Sequence, residues 1–265
     1  LCTCTGCGGW RTGNTTVMAT FVDPGQGGRA GRGNSVWLKR LRSRSNKVAA
    51  CDVDCAVVLF PWAGASWTCF SNWSGKEALY SSGVRDCFVV CLPGRMGRKD
   101  ERHCTDLHEV ASRVASAVVS TISPDTRLAF FGHSLGARVA FECAKRLAAS
   151  NRVVKVLAIS GSNAPSFVPE WVLSKKWVSN DAYNRLSTSK IVENLRELKG
   201  TPQELLDNQD YMEMIAPQVA ADFRMLHNYY SNSDRGRATR ITLDERTRAL
   251  VMYGESDERV SREGL

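Results

Sequence analysis

The stretch Arg127-Leu-Ala-Phe-Phe-Gly-His-Ser-Leu-Gly136 decides the fold of this chain. Its apolar first half predicts a buried strand, and residues 132–136 match the pattern G-x-S-x-G. An amphipathic helix is predicted directly afterwards, because apolar side chains recur on one helical face at Val139, Cys143 and Leu147. A strand, a glycine turn and a helix in this order indicate a nucleophile elbow, in which the glycines allow the sharp turn that exposes the serine. Ser134 is therefore the candidate nucleophile.

Further apolar runs predict the rest of a sheet. Strands are expected at residues 56–60, 87–92, 153–159 and 249–253. Between them, Thr105 is the expected N-cap of a helix whose apolar face carries Leu107, Val110, Val114 and Val118. Strands that alternate with helices at this spacing predict an α/β fold with a mostly parallel, doubly wound sheet.

Residues 165–235 interrupt this rhythm and are predicted to be mainly helical. A capping box at residues 201–204 precedes a long predicted helix over residues 211–230. A helical insertion at this place in an α/β-hydrolase sheet favours a lid over the site. Met212 and Met214 near the start of the long helix are flexible and apolar, which suits an alkyl chain. The alternative, that these helices only pack onto the sheet, stays open.

The net charge of +8 is unevenly distributed. Residues 1–50 hold eight Lys/Arg and one Asp, whereas the remainder holds 27 Lys/Arg and 26 Asp/Glu. The nearly neutral remainder argues against a nucleic-acid-binding role. The Gly- and Arg-rich composition of residues 1–54 predicts a disordered or misassigned basic leader. One domain is predicted over residues 55–265.

The sequence also bears on the compartment. No run approaches the roughly 18 apolar residues that a membrane span needs, and no signal peptide is recognisable. Most of the ten cysteines fall in apolar segments, as Cys87 and Cys143 do, which predicts reduced thiols and a cytoplasmic protein. Cys2, Cys4 and Cys7 have no second ligand pair at zinc-site spacing, so no metal site is expected.

Serine hydrolysis also needs a base, an acid that orients it and two oxyanion donors. The N–H of Leu135, at the start of the predicted helix, is one candidate donor. The other is the N–H of Trp62 or Ala63, after an earlier strand. Asp257 follows the last predicted strand and is preferred to Glu255 as the acid, although an ordinary loop aspartate remains the alternative.

Five motifs occur in an order that resembles the type II thioesterases, among them the animal medium-chain S-acyl fatty acid synthase thioesterases (oleoyl-ACP hydrolases). The motifs are Phe-Pro-Trp-Ala-Gly at 60–64, Leu-Pro-Gly-Arg at 92–95, Phe-Gly-His-Ser-Leu-Gly at 131–136, Gly-Thr-Pro at 200–202 and Ala-Ala-Asp-Phe at 220–223. The resemblance implies an α/β-hydrolase fold and no metal or nucleotide cofactor.

The same resemblance implies a reaction. Fatty acyl thioesters would be hydrolysed from the phosphopantetheine of an acyl carrier protein, for chain release or editing by a fatty acid synthase or a related synthase. Ser134 would be the nucleophile, Asp257 the acid, and Ala63 with Leu135 the oxyanion donors. Trp62 is expected to border the substrate.

Arg95 follows a strand end near the expected mouth of the site. With Arg98, Lys99 and Arg102 it forms a basic loop that we expect to attract an acidic carrier protein. The alternative is a solvated basic loop in which Arg95 makes a structural ion pair.

The resemblance places the histidine base some 25–30 residues beyond Asp257, but only eight residues follow and none is histidine. The histidines are His103, His108, His133 and His227, of which His227 is the one considered as a substitute base. We therefore expect a C-terminally truncated fragment that lacks the final strand and helix and is nearly inert.

Two other functions stay open. One is a carboxylesterase of the same fold that acts on oxygen esters. The other is a non-catalytic, carrier-binding pseudoenzyme that truly lacks the base. We expect the protein to be a monomer.

Overall fold

The computed structural model describes residues 35–41, 54–75, 84–165, 167–168, 187–231, 243–254, 257 and 260. Most of the predicted basic leader, including Cys2, Cys4 and Cys7, lies outside these residues. Within them, no helix is both long and apolar enough to cross a membrane.

Six strands form one sheet in the order β1-β3-β2-β4-β5-β6. The strands are β1 (Leu38–Leu41), β2 (Cys55–Phe60), β3 (Val84–Val90), β4 (Arg127–His133), β5 (Val154–Ser160) and β6 (Arg248–Met252). β1 runs antiparallel to β3, and every other pair in this sheet is parallel. The predicted α/β class with a mostly parallel sheet is confirmed.

The helices lie close to their predicted positions, but the capping box predicted at residues 201–204 is wrong, because Pro202 is the N-cap there and makes no side-chain cap hydrogen bond. They are α1 (Leu107–Thr121), α2 (Leu135–Ala149), α3 (Thr188–Glu197), α4 (Gln203–Leu206) and α5 (Gln209–Ser231), with 3-10 helices at Trp67–Gly75 and Met96–Arg98. The prediction of Thr105 as the N-cap of α1 is wrong. Asp106 caps this helix, because its carboxylate accepts the backbone N–H groups of His108 and Glu109.

The central strand β2 is buried on both faces of the sheet. Val58 and Phe60 belong to a large apolar cluster that includes side chains of α1, α2 and α5. Val57 and Leu59 point to the opposite face and join a smaller cluster that includes Phe70. This alternation is expected for a parallel strand covered on both sides, which explains its continuous apolar sequence.

The predicted leader boundary is wrong for residues 38–41, because this segment is an edge strand of the sheet. Leu38 and Leu41 are buried against the rest of the domain, while Lys39 and Arg40 between them are exposed. Arg40 forms an ion pair with Asp86 on β3. Edge strands tolerate such charged side chains, so the basic composition of this segment did not exclude a strand.

The predicted helical segment is also confirmed where the structure describes it. α5 packs into the large apolar cluster through Val219, Phe223 and Tyr229 among others, so it forms a layer of the core. α3 and α5 contact each other through further apolar side chains. A lid function for these helices stays a prediction.

Candidate active site

The turn between β4 and α2 holds Ser134 in an unusual backbone conformation. Its φ is 53° and its ψ is −117°, outside the regions that residues with a side chain commonly adopt. Such a conformation costs on the order of 1–3 kcal/mol and persists only where neighbouring structure enforces it. The strand, sharp turn and helix predicted around Ser134 are therefore present, and the strain falls on the serine itself.

The two glycines of the motif are required by close packing of the backbone. A Cβ atom added to Gly132 would lie 2.4 Å from the carbonyl oxygen of Gly136. One added to Gly136 would lie 2.1 Å from the carbonyl oxygen of Phe60, at the end of β2. Glycine thus lets the start of α2 lie directly against both flanking strands, which fixes the serine relative to the loop after β2.

Backbone hydrogen bonds hold the turn in place. The N–H of Ser134 donates to the carbonyl of Ser160 at the end of β5, at 2.9 Å. The carbonyl of Ser134 accepts the N–H of Ala137 at 3.0 Å. Leu135 is the first residue of α2, where a backbone N–H has no acceptor within the helix. Its N–H is therefore suited to a negative charge beside the serine.

The second predicted donor lies in a tight turn, residues 62–65, which we call the 62–65 turn. The N–H of Ala65 donates to the carbonyl of Trp62 at 3.0 Å. Gly64 has a φ of 76°, which glycine adopts without strain. The Trp62 ring packs edge-on against Phe70 and His133, with ring centroids 5.8 Å apart in each case.

Arg95 lies inside the protein rather than at an exposed mouth. Its guanidinium donates to both carboxylate oxygens of Asp222 on α5, at 2.9 and 2.8 Å. A further bond of 2.9 Å reaches the carbonyl of Ala65, while Asp222 accepts the N–H of Gly64 at 2.7 Å. The structural ion pair, which was the alternative in the sequence analysis, is the arrangement found, and direct contact of Arg95 with a carrier is not supported.

Sequence reasoning gave Asp222 no role in the site. A signal for it existed, because this carboxylate lies between Val219, Phe223 and Leu226 on the apolar face of a helix. A charged residue in such a position is stable only with a buried partner.

The other three residues of the predicted basic loop differ in their exposure to solvent. Arg98 donates to the carboxylate of Glu101 and to the carbonyl of Cys91, and its guanidinium lies 4.3 Å from the centre of the Trp37 ring. Lys99 and Arg102 are exposed. These two remain available for the predicted contact with an acidic carrier.

His133, next to the serine, is held away from it. Its Nδ1 lies 3.1 Å from the Oγ of Ser160, and a Cβ on Gly161 would lie 2.7 Å from its ring. Burial lowers the pKa of His133, and the carboxylate of Asp257 partly opposes this effect. The charge of Asp257 therefore acts on a side chain of the elbow, and its role as the orienting acid stays a prediction.

The other three histidines have different neighbours. The ring of His103 lies against Gly94, where an added Cβ would come within 2.4 Å. His108 contacts Arg146 and Glu142, and the Nε2 of His227 lies 3.1 Å from the Oγ of Ser231. Among the residues that the structure describes, no histidine forms a hydrogen bond with Ser134.

The two methionines predicted to contact the substrate differ in exposure. Met212 is 1% exposed and belongs to the apolar core, whereas Met214 is 61% exposed. Of the two, only Met214 presents its thioether to solvent.

Comparison with known proteins agrees with this geometry. Residues 56–263 match the Thioesterase domain family. The gramicidin S biosynthesis protein GrsT of Aneurinibacillus migulanus is 30% identical, and the match covers 66% of this chain and 62% of that protein. The medium-chain S-acyl fatty acid synthase thioesterase of Homo sapiens is 27% identical, with 72% and 70% covered. The chain thus spans less than two thirds of the length of GrsT.

A solved structure gives the same result. YbtT, described as a type II thioesterase from the yersiniabactin NRPS/PKS biosynthetic pathway, superimposes with a TM-score of 0.66 at 26% identity. The superposition covers 86% of this chain and 82% of YbtT. The resemblance to type II thioesterases and the α/β-hydrolase fold are thereby confirmed, and this chain belongs to the thioesterase domain family.

Proposed function

We propose that this site cleaves fatty acyl thioesters from the phosphopantetheine of an acyl carrier protein through an acyl-Ser134 intermediate. The observation that carries the proposal is the strained backbone of Ser134, with φ 53°, at a strand–helix turn. Strain of this kind is stored where function needs a fixed geometry. The names of related proteins, which include a fatty acid synthase thioesterase, support the class of substrate.

The proposed reaction has two steps. The Oγ of Ser134 attacks the thioester carbonyl and loses its proton, the C–S bond breaks, and the carrier thiol leaves with a proton. Water then attacks the serine ester, which releases the free acid and restores the hydroxyl. In each step a base takes the proton of the attacking group and returns it to the leaving group, and we propose no cofactor.

Each step passes through a tetrahedral oxyanion. We assign its two donors to the N–H groups of Ala63 and Leu135. The 62–65 turn follows β2 and α2 starts at Leu135, and Gly136 lies directly against the carbonyls of Phe60 and Pro61. That contact brings the two donor segments together. Preorganised donors of this kind commonly supply the largest part of the rate enhancement.

The base is the missing part. The four histidines of the chain contact other groups, so we propose that this chain alone is nearly inert. Loss of one triad member can cost about 10⁶-fold in turnover, or roughly 8 kcal/mol. Asp257 would then orient a base that these residues do not supply.

The test replaces the missing base by a small molecule. Decanoyl-pantetheine is incubated with the chain and with its Ser134→Ala variant, each with and without imidazole, and thiol release is measured. We expect no difference between the two proteins without imidazole. With imidazole, only the chain that retains Ser134 should exceed the rate of imidazole in buffer. Equal rates with imidazole would refute the assignment of Ser134, and clear turnover without it would refute the missing base.

A matched panel distinguishes the other two functions. A decanoyl oxygen ester cleaved faster than the thioester under the same conditions would favour a carboxylesterase. Tight binding of an acyl carrier protein with no imidazole-dependent turnover would favour a non-catalytic carrier-binding protein.

The buried thiols of Cys87 and Cys143 support our further proposal of a cytoplasmic location.

A further inference from the structure

The buried pair Arg95–Asp222 binds the 62–65 turn from two directions. Asp222 accepts the N–H of Gly64 at 2.7 Å, and Arg95 donates to the carbonyl of Ala65 at 2.9 Å. The side chains are 4% and 0% exposed, so water does not compete for these bonds. Apolar residues often stabilise a protein as well as a buried ion pair does, so the burial of this pair is weak evidence for a purely stabilising role.

Two hydrogen bonds, one within the turn and one to Asp222, fix both peptide groups that flank Ala63. The Trp62–Ala63 peptide is held through its carbonyl, which accepts the N–H of Ala65 at 3.0 Å. In a planar trans peptide the N–H points opposite to the carbonyl, so the N–H of Ala63 must point out of the turn. The Ala63–Gly64 peptide is held through its N–H by Asp222.

α5 can provide this carboxylate because it lies very close to the turn. A Cβ atom on Gly64 would lie 2.6 Å from the Cγ2 of Val219, one helical turn before Asp222 on the same face. The glycine therefore allows the helix to pack closely against the turn, and the hydrogen bond from Gly64 to Asp222 stabilises this contact.

We propose that Arg95 and Asp222 are positioning residues that hold the N–H of Ala63 in the direction that an oxyanion at Ser134 requires. The inference rests on the proposed function, in which Ala63 is an oxyanion donor. It gives the buried pair a role in the chemical step, exerted through the 62–65 turn. A helix distant in sequence thus determines the geometry of the donor loop.

The test is the double variant Arg95→Met/Asp222→Leu, which removes both charges together and so leaves no unpaired ion in the core. Imidazole-dependent turnover of decanoyl-pantetheine should show kcat reduced by about 10- to 100-fold, because deletion of one oxyanion donor costs about 10²- to 10³-fold. KM should change by less than about twofold, because the oxyanion forms only in the transition state.

The matched control is Arg196→Met/Asp207→Leu. This pair has the same residue types at 3.2 Å, but its side chains are about half exposed and lie on α3 and just after α4. The control should retain the parent kcat. An equal loss of kcat in both double variants, or no loss in either, would overturn the proposal.

A second measurement does not depend on turnover. The amide hydrogen of Gly64 should exchange at least about tenfold faster in the Arg95/Asp222 variant than in the parent, because it loses its buried acceptor. An unchanged exchange rate would overturn the positioning role. If the parent shows no Ser134-dependent turnover, the proposed function fails, and Gly64 exchange alone decides whether the pair holds the turn.

Arg95→Lys covers the case in which the double variant does not fold. Lysine keeps a cation beside Asp222 but cannot bond both carboxylate oxygens and Ala65 with one planar group. We expect kcat to fall several-fold with KM unchanged. A parent-like kcat in this variant, together with parent-like Gly64 exchange, would contradict the proposal.

Discussion

Removing the negative charge of Glu142 should abolish much of the acid sensitivity of this fold. Glu142 lies on α2 with its side chain only 3% exposed. Its carboxylate bonds to Arg146 at 2.7 Å, to Lys145 at 3.2 Å and to the hydroxyl of Tyr229 on α5 at 3.2 Å. The carboxylate therefore connects α2 with α5.

The magnitude follows from the pKa of this group. Burial alone would raise the pKa of Glu142, but the hydrogen bond from Arg146 and the positive charge of Lys145 outweigh it and lower the pKa from 4.5 to about 2. The Nδ1 of His108 accepts a hydrogen bond from the guanidinium of Arg146, so it does not donate one to Glu142. At about 1.4 kcal/mol per pKa unit, the shift corresponds to at most about 3.5 kcal/mol of stability.

The sign of the pH dependence is fixed by the direction of the shift. Below pH 4.5 the unfolded chain binds a proton at this carboxyl that the folded protein does not bind until pH falls to about 2. The stabilisation is therefore complete above pH 4.5 and is lost progressively as pH falls towards 2. Glu142→Gln keeps the size of the side chain and removes this contribution.

The assay is urea unfolding, followed by circular dichroism, at several pH values between 7 and 3. The difference in unfolding free energy between the parent and Glu142→Gln should shrink as pH falls. Glu109→Gln is the control, because Glu109 is about half exposed and its pair with Arg113 spans 3.7 Å. Parallel curves for the parent and Glu142→Gln over this range would show that the charge of Glu142 does not stabilise the fold.

Three further substitutions test the local geometry. Ser134→Gly should raise the unfolding free energy by about 1 kcal/mol relative to Ser134→Ala, because glycine relieves the strain at φ 53°; equal thermal midpoints would contradict this. Gly136→Ala should cost about 1–3 kcal/mol through its clash with the Phe60 carbonyl, whereas Gly97→Ala, with open space around it, should be neutral in the same melts. Asp106→Ala should cost about 1 kcal/mol in urea unfolding, and no loss would show that the cap does not stabilise α1.

The elbow and the parallel strands could be predicted because their signals are local. Residues 132–136 and the adjoining apolar runs lie within a few positions of one another, so sequence spacing alone indicates the turn. The predicted N-cap of α1 is one residue too early. Thr105 and Asp106 are both of residue types that commonly cap helices, and only the geometry shows that Asp106 is the cap.

The features that were missed depend on contacts between distant segments. The composition of β1 is that of a basic leader, and only its pairing with β3 shows that Leu38 and Leu41 are buried. The partners Arg95 and Asp222 are separated by 127 positions, and no local pattern connects them. The basic motif around Arg95 was therefore interpreted as a carrier-binding loop, although the arginine itself is buried.

The most direct test of the central claim is to locate the acyl group on the protein. The chain is incubated with decanoyl-pantetheine and imidazole, quenched with acid and analysed by peptide mass spectrometry. Samples are quenched during the first turnover, so that the serine ester is captured before imidazole promotes its hydrolysis. We expect a decanoyl group on the peptide that contains Ser134 and none on that peptide in Ser134→Ala. Acylation confined to another residue, such as Ser160, or equal labelling of the Ser134→Ala variant, would contradict it.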